Sequence, residues 1–514
     1  MTKLLPGLWV PAIFLTLWAG LIVAGRENFL RDPGTFWHTV VGERILSHGF
    51  AETDEYTFTF AGEPWIPHQW LGEIGMAAAY RVNGLHAVLA GGTALLAGLF
   101  TLLAVRWLRT GLHPILCAVV IGLTLASSAT HFHLRPHLFT MLGVMLTMRT
   151  LIEIDSGRKR WTAAAWLIPL YAVWANVHGG LLGGLMMLGL TGTAWSVLAL
   201  LGKPSPIAGA RSFAGLAGIG VACGLTAFLT PYGPRIFETW IAIMQAKRLP
   251  EIIAEHAPFD ITRIANAPTA LMALGYVGLL LNVPRRSWKA SWFLPLFWML
   301  QAYGRVRHAP LFSICACLVL AEVWPHTRMA ARLAASRPDF HADAGRFVPM
   351  NRLALVGVLL ALGFGFLWQA TRHSSTEWAK LDPAYWPTEL DEALAEHSPE
   401  SGAPNRLFND YIDGGYIIRR HPSYKVFVDD RCELFGDEWL VEFVLAGVHD
   451  DRTANYLADA QAKYGRFDFA LTRPDTAFDR WVTARPEEWQ VIQTTPTARF
   501  AKRITPSPGS PGPR

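Results

Sequence analysis

The sequence predicts a polytopic α-helical membrane protein of about eleven spans, N-terminus inside, followed by a C-terminal extracytoplasmic α/β domain. Three observations carry this. First, 52% of the 514 residues are hydrophobic and only 17% are charged, with mean hydropathy +0.25; soluble chains are nearer a quarter charged. Second, the apolar excess falls in separate runs of about 20 residues, the length that crosses a bilayer, which excludes one large soluble enzyme and a disordered chain alike. Third, after residue 370 the composition turns to more charge, Pro-rich edges and short strand-like runs. The net charge of +5 is modest and points to no nucleic-acid partner.

The expected spans are 5–24, 84–105, 112–130, 137–154, 162–176, 179–201, 212–230, 267–283, 289–303, 308–324 and 353–370, of which 162–176 and 289–303 are short. The first follows Lys3 and is too long and Trp-rich for a cleaved leader, so it reads as a signal anchor. With the N-terminus inside, the inner connections hold sixteen Lys or Arg in 61 residues and the outer ones eleven in 107. That bias sets the orientation. An odd number of spans then puts the C-terminal part outside. Residues 1–370 form the membrane domain with a structured first outer loop at 25–83. Residues 371–505 form the α/β domain, and 506–514 (PSPGSPGPR) a disordered tail. Cys117, Cys223, Cys315 and Cys317 lie in apolar runs and Cys432 stands alone, so no disulfide framework arises.

Polar residues are one-sided. Of thirteen histidines before residue 371, ten fall in outer connections or at outer span ends, among them His38, His68, His137, His178 and His308. Arg135, Asn176, Arg305 and Arg307 join them, while charges near mid-span are almost absent. A transporter places ionisable groups near the midplane; this chain gathers them at one boundary, as an enzyme working on a lipid-linked substrate would. Interfacial anchoring of helix ends is the plainer reading of any single one.

In the first loop, TFWHTVVGERILSHG (35–49) reads as an amphipathic helix with Phe36, Val40, Val41 and Ile45 on one face. Asp32 is placed as its N-cap, Pro33 in its first turn and Gly49 at its end. EYTFTFAGEPWI (55–66) has the alternation of a hairpin. HQWLGEIGMAAAYRV (68–82) reads as an interfacial helix, Gln69 and Glu73 on one face, leading into the second span.

This arrangement resembles the GT-C superfamily of membrane glycosyltransferases, in layout most like protein O-mannosyltransferases and lipid A aminoarabinose transferases. The matching pieces are Asp32, the helix at 35–48, GEPW (62–65) and IPHQWLGE (66–73). The chain also looks like bacterial multi-span membrane proteins carrying DPGTFWH, HQWLGE, RPHLF, WANVHGG and PYG. It departs from the GT-C pattern where Pro33 replaces a second acid, and where His68 and Gln69 stand in place of a lysine. The resemblance implies transfer of a sugar from a polyprenyl-phosphate carrier to an extracytoplasmic acceptor at a bacterial inner membrane.

Such transfer needs a base for the acceptor and cationic donors for the leaving phosphate. The resemblance makes Asp32 the catalytic base, against the reading of a plain N-cap, and Glu73 a second acid, against a solvated helix face, which is the favoured reading. Arg135 and His137 suit the phosphate: Pro136 holds Arg135 extended at the lip of a span. Asn176 and His178 sit where two spans meet, equally readable as a turn with a satisfied histidine. Arg305, Arg307 and His308 form a third basic group. His38 and His68 are further substrate-binding candidates. A divalent cation enters through the resemblance alone, since some members use one; no ligand spacing marks a site, and no metal or other cofactor is assigned.

The outer connection 231–266 opens on a Tyr232–Pro234 turn and continues as a re-entrant or interfacial helix able to cover an acceptor. In the C-terminal part, 406–410, 424–430 and 467–473 read as strands, with helices at 433–447 and 452–463 and a closing hairpin at 489–503: a partly parallel sheet. Asp429, Asp430 and Arg431 read as a strand-to-helix turn capped by acids, and GGYII (414–418) lacks the lysine of a phosphate loop. The rival reading is a non-catalytic membrane assembly or binding protein for cell-envelope components, in which the outer domain captures a partner.

Overall fold

The computed structural model describes residues 9–341, 379–398 and 405–504. Helix α1 (Trp9–Asn28) leads into α2 (Gly34–His48); an irregular stretch follows before α3 (Trp70–Leu108). Then come α4 (Pro114–Ser128), α5 (Leu138–Asp155), α6 (Leu167–Val177), α7 (Leu181–Leu200) and α8 (Ala210–Leu225). α9 (Arg235–Gln245) lies in the long connection to α10 (Ala267–Leu281), and α11 (Leu294–Gly304), α12 (Ala309–Val323) and α13 (Arg328–Ser336) complete the bundle.

Ten of the expected spans thus coincide with helices, and 353–370 lies outside the described residues. Among the described residues, seven helices are long and apolar enough to cross a membrane: Val10–Asn28, Trp70–Leu108, Pro114–His131, Leu181–Leu200, Ala210–Phe228, Ile264–Leu281 and Val306–His326. α12 is apolar all round until Glu322 near its end, and every one of its residues is buried, as the centre of a bundle must be. It packs on α4, α5, α10 and α11.

The C-terminal part is a small α/β unit. α14 (Asp391–Glu396), α15 (Gly414–Arg420), α16 (Cys432–Phe435), α17 (Asp437–Val448), α18 (Asp450–Tyr464) and α19 (Ala477–Thr483) surround a five-stranded sheet. Its strands are β1 (Asn405–Asn409), β2 (Tyr424–Val426), β3 (Phe469–Thr472), β4 (Trp489–Thr494) and β5 (Arg499–Arg503), in the order β2-β1-β3-β5-β4. β2, β1 and β3 run parallel, and β5 and β4 return antiparallel. The strands expected at 406–410, 424–430 and 467–473 and the closing hairpin are all present, the second ending at Val426.

Strand alternation divides the sheet between two cores. Leu407, Val426, Phe469 and Phe500 face α2 of the first loop, through Phe36, Trp37, Val41 and Ile45. Phe408, Phe427, Ala470 and Ala501 face α17–α19. The apolar face of α2 therefore packs on protein: the Phe36 ring meets Trp386 and Tyr416 edge-on at 4.9 and 5.5 Å. The first loop and the sheet share one core.

Three local expectations change. The hairpin at 55–66 is reduced to a pairing of 52–54 with 63–65 (Asp54 N to Glu63 O 2.9 Å, Trp65 N to Glu52 O 3.0 Å), because Phe58 N turns aside to bond Val426 O at the sheet edge. Asp32 does not cap α2. Pro33 holds the N-cap position without a side-chain bond, and Asp32 turns to Arg135. The interfacial helix and the second span are one element, broken at Asn83 and Gly84, where Gly84 adopts φ +54°, a conformation glycine takes at little cost.

Two contacts seat the sheet on the first loop. Arg431, 1% exposed, reaches Asp54 of the loop at 2.7 Å and Asp429 of its own turn at 2.6 Å. At the start of α15 a Cβ on Gly415 would lie 2.2 Å from Pro33 O, so only glycine allows that approach. Gly415→Ala is expected to destabilise the protein by about 1–3 kcal/mol through overpacking, although alanine is the better helix former. Thermal unfolding of the purified variant checks this, and a gain in stability would refute the contact.

Candidate active site

The polar residues meet at the end of the bundle where α3 and α12 begin and where the sheet domain docks. The chain leaves α1 through Phe29, whose carbonyl accepts Leu134 N–H at 3.2 Å. That bond lays the α1–α2 connection against the lip of α5. Across it Arg135 Nη1–H donates to Asp32 Oδ2 at 3.3 Å. Asp32 is 7% exposed, and its Oδ1 is buried with no hydrogen-bond partner among the described residues. Burial opposes the charge on Arg135, and Asp32, Asp430 and Glu255 more than restore it, so the guanidinium stays cationic.

Beside this pair lie His38 and Glu73, both fully buried, with Nδ1 and Oε1 3.0 Å apart. Among the described residues His38 Nε2 and Glu73 Oε2 have no partner. The favoured solvated-face reading of Glu73 is thus replaced by a buried acid: α3 packs its first turns against α2 instead of facing water. Burial first, then Arg135, His68, His178 and His137, hold the His38 imidazole well below its usual pKa, so it is neutral.

The other histidines converge on the same place. His68 is buried and accepts from Gln69 Nε2–H at 3.2 Å, with Glu433 at 3.9 Å; burial keeps it neutral although Glu433 works against this. His137 Nε2–H donates to His131 O at 2.9 Å. Its ring centroid is 6.3 Å from that of His178. His178 Nδ1 accepts Gly180 N–H at 3.0 Å and lies 2.9 Å from Thr140 Oγ1. Burial, then His137, His68 and Arg135, lower its pKa well below the usual value. Arg307 Nη1–H donates to His256 Nε2 at 2.9 Å. Its neighbour Glu255 would be raised by burial, but Arg135, His131, His256 and Arg307 hold its pKa at about 2.

Three candidates stand apart. Asn176 accepts Trp70 Nε1–H at 2.7 Å and donates to Ala172 O and Leu229 O, tying α3 to α6 with every polar atom used. Arg305 donates to Ala246 O at 3.3 Å and His308 Nδ1–H to Gln301 O at 3.2 Å. No described contact joins these three to Asp32 or Arg135.

One acid here was read from sequence only as part of a turn. Asp430 is 9% exposed and its Oδ1 accepts Trp37 Nε1–H at 2.6 Å. Burial, opposed by Arg135 and reinforced by Asp32 and Asp429, raises its pKa to about 8. The turn exists, since Asp429 Oδ1 accepts Arg431 N–H at 3.0 Å; docking on α2 is what carries Asp430 into the cluster. The acid-rich strand end was the available signal. Tyr411 and Cys432, 3.4 Å apart, border it.

Among the described residues the arrangement offers two carboxyl groups with a free, buried oxygen, on Asp32 and Glu73, with two guanidiniums and a ring of neutral imidazoles. It does not fit a divalent ion: Asp32 is held by Arg135, and among the described residues no three His, Cys, Asp or Glu side chains gather as a ligand set.

No family model matches the chain, and no curated protein sequence does. Solved structures do. The apo oligosaccharyltransferase of Archaeoglobus fulgidus aligns over 91% of this chain and 69% of its own with TM-score 0.52 and 12% identity. The same organism's oligosaccharyltransferase AglB, in complex with an inhibitory peptide and a dolichol-phosphate, aligns over 96% and 74% with TM-score 0.51 and 12% identity. At that identity the likeness is one of fold. The chain shares the fold of these archaeal oligosaccharyltransferase structures.

Proposed function

We propose that this protein transfers a sugar from a polyprenyl-phosphate carrier to an acceptor hydroxyl at the outer face of a bacterial plasma membrane. In this reading eleven helices span the bilayer, the N-terminus is inside, and the sheet domain is outside. The observation that carries it is the meeting of Asp32, Arg135, His38, His137, His178 and Arg307 with Asp430 at one end of the bundle. AglB, which shares the fold, was solved with a dolichol-phosphate and a peptide; a lipid-linked donor and an outer acceptor suit the same architecture here. The Lys and Arg asymmetry between connections supports the orientation.

The acceptor oxygen forms its bond to the anomeric carbon as the bond from that carbon to the phosphate oxygen breaks, and the electron pair leaves with the phosphate. Asp32 Oδ1, buried and unpartnered, takes the acceptor proton. Arg135 and Arg307 hold the phosphate as its charge grows, the planar guanidinium matching two phosphate oxygens. The neutral imidazoles add hydrogen bonds without competing for the anion. Asp430, protonated at neutral pH, keeps the docked domain from adding a second negative charge beside Asp32.

Asp32→Asn in the purified protein, assayed with polyprenyl-phosphate mannose, glucose and arabinose donors, is expected to lower turnover by about 10²- to 10⁴-fold. Unchanged transfer would remove Asp32 from the mechanism. Arg135→Gln is expected to weaken carrier binding by about 10- to 100-fold, the worth of a charge-assisted contact, seen as a raised KM for the carrier. A third expectation concerns pH. The folded state keeps the Asp430 proton up to about pH 8, whereas the unfolded chain releases it near pH 4. Between these values the folded state holds the extra proton, so stability falls as pH rises. Asp430→Asn, which still accepts from Trp37, should flatten the decline in unfolding midpoint between pH 5 and 8. Parallel profiles would contradict the assignment.

A further inference from the structure

The far end of the bundle carries a second concentration of charge that sugar transfer does not use. α3 and α12 both start beside the candidate site, so Arg106 near the end of α3 and Glu322 near the end of α12 lie together at the opposite end. There Arg106, Arg109, Arg158, Glu322 and His326 help to line a cavity of about 210 Å³. Glu322 is the one acid among its described lining residues. Arg158 grips Glu322 with both guanidinium arms (Nη1 to Oε1 2.7 Å, Nη2 to Oε2 3.0 Å), and Arg106 pairs with the same carboxylate.

Three guanidiniums against one carboxylate leave a net charge of about +2 in the cavity. The nearby acids do not neutralise it. Glu153 is taken by Arg149 at 3.0 Å and Lys159 at 2.7 Å; Asp155 is taken by Trp195 Nε1–H at 2.9 Å and Ser291 N–H at 2.7 Å. Glu322 thus works as an organiser, fixing two planar forks side by side. Arg109 is exposed and none of its five N–H donors has a side-chain bond among the described residues. Preset guanidinium forks match phosphate oxygens.

The cavity lies where two helices of spanning length end, Trp70–Leu108 and Val306–His326. That is the level of lipid headgroups in a bilayer, and basic pockets between helices at this depth suit anionic lipids. We propose that this cavity binds the phosphodiester headgroup of an anionic phospholipid, at the membrane face opposite the candidate active site. The inference stands independently of sugar transfer, since neither Asp32 nor Arg135 takes part.

The test uses the full chain in zwitterionic detergent, with the unfolding midpoint followed while didecanoyl phosphatidylglycerol, didecanoyl phosphatidylcholine or inorganic phosphate is added. Phosphatidylglycerol should raise the midpoint saturably and phosphatidylcholine should not. Arg109→Glu should weaken the apparent affinity at least about fivefold, and Arg109→Gln, which removes the charge but keeps a polar side chain, should weaken it in the same direction. Arg286→Glu, an exposed arginine outside the cavity, should leave it within about twofold. Equal binding by the Arg109 variants and the parent, or equal loss in Arg286→Glu, would overturn the site. Saturation by inorganic phosphate at the same concentration as the lipid would overturn the lipid as its ligand.

Discussion

The architecture turns on one buried cation. Arg431 has lost almost all contact with water, and removing a guanidinium from water costs several kcal/mol unless it is paired. Its partners come from two parts of the chain: Asp54 from the first loop and Asp429 from the turn after β2. The rings of Trp65 and Tyr56 cover it at 4.6 and 5.2 Å. Only the docked arrangement supplies both carboxylates, so burial of Arg431 and seating of the sheet on the loop are one event. The apolar face of α2, packed on Trp386 and Tyr416, adds area to the same interface.

That docking builds the candidate site. With Asp429 held by Arg431, the next residue, Asp430, is carried to Trp37, and Glu433 receives Trp65 Nε1–H at 3.1 Å. The first loop is thus the layer between bundle and sheet: α2 offers its apolar face to the sheet and His38 to the α3 acid beneath. A domain that follows every expected span in sequence becomes one wall of a cluster whose other walls are the lips of α5 and α6 and the connection around His256.

The electrostatics follow from burial. Imidazoles removed from water beside guanidiniums stay neutral, which leaves the charge of the cluster to Arg135 and Arg307 against Asp32 and Glu255. Asp430 holds its proton, because burial and the neighbouring Asp32 outweigh the attraction of Arg135. A site of this kind presents fixed cationic forks and adaptable hydrogen bonds at one end of the bundle, while the cavity around Glu322 sets a different basic group at the other.

Much of this was legible in the residues themselves. Apolar runs dictate helices because an unpaired backbone in lipid is prohibitively costly, so ten of the expected spans appear as helices. Alternation dictates strands for the same local reason, and β1, β2, β3 and the closing hairpin are where the pattern places them. The one-sided histidines also announced a polar end. Other features depended on contacts between distant segments: the partner of the α2 apolar face, the burial of Glu73, the turning of Asp32 from a helix cap to Arg135, and the arrival of Asp430. Periodicity tells which face of an element avoids water but not what will cover it. The sequence by itself therefore determined the elements and their polarity. Only the tertiary structure decided which acids lost their water, because that loss depends on charges and surfaces hundreds of residues away.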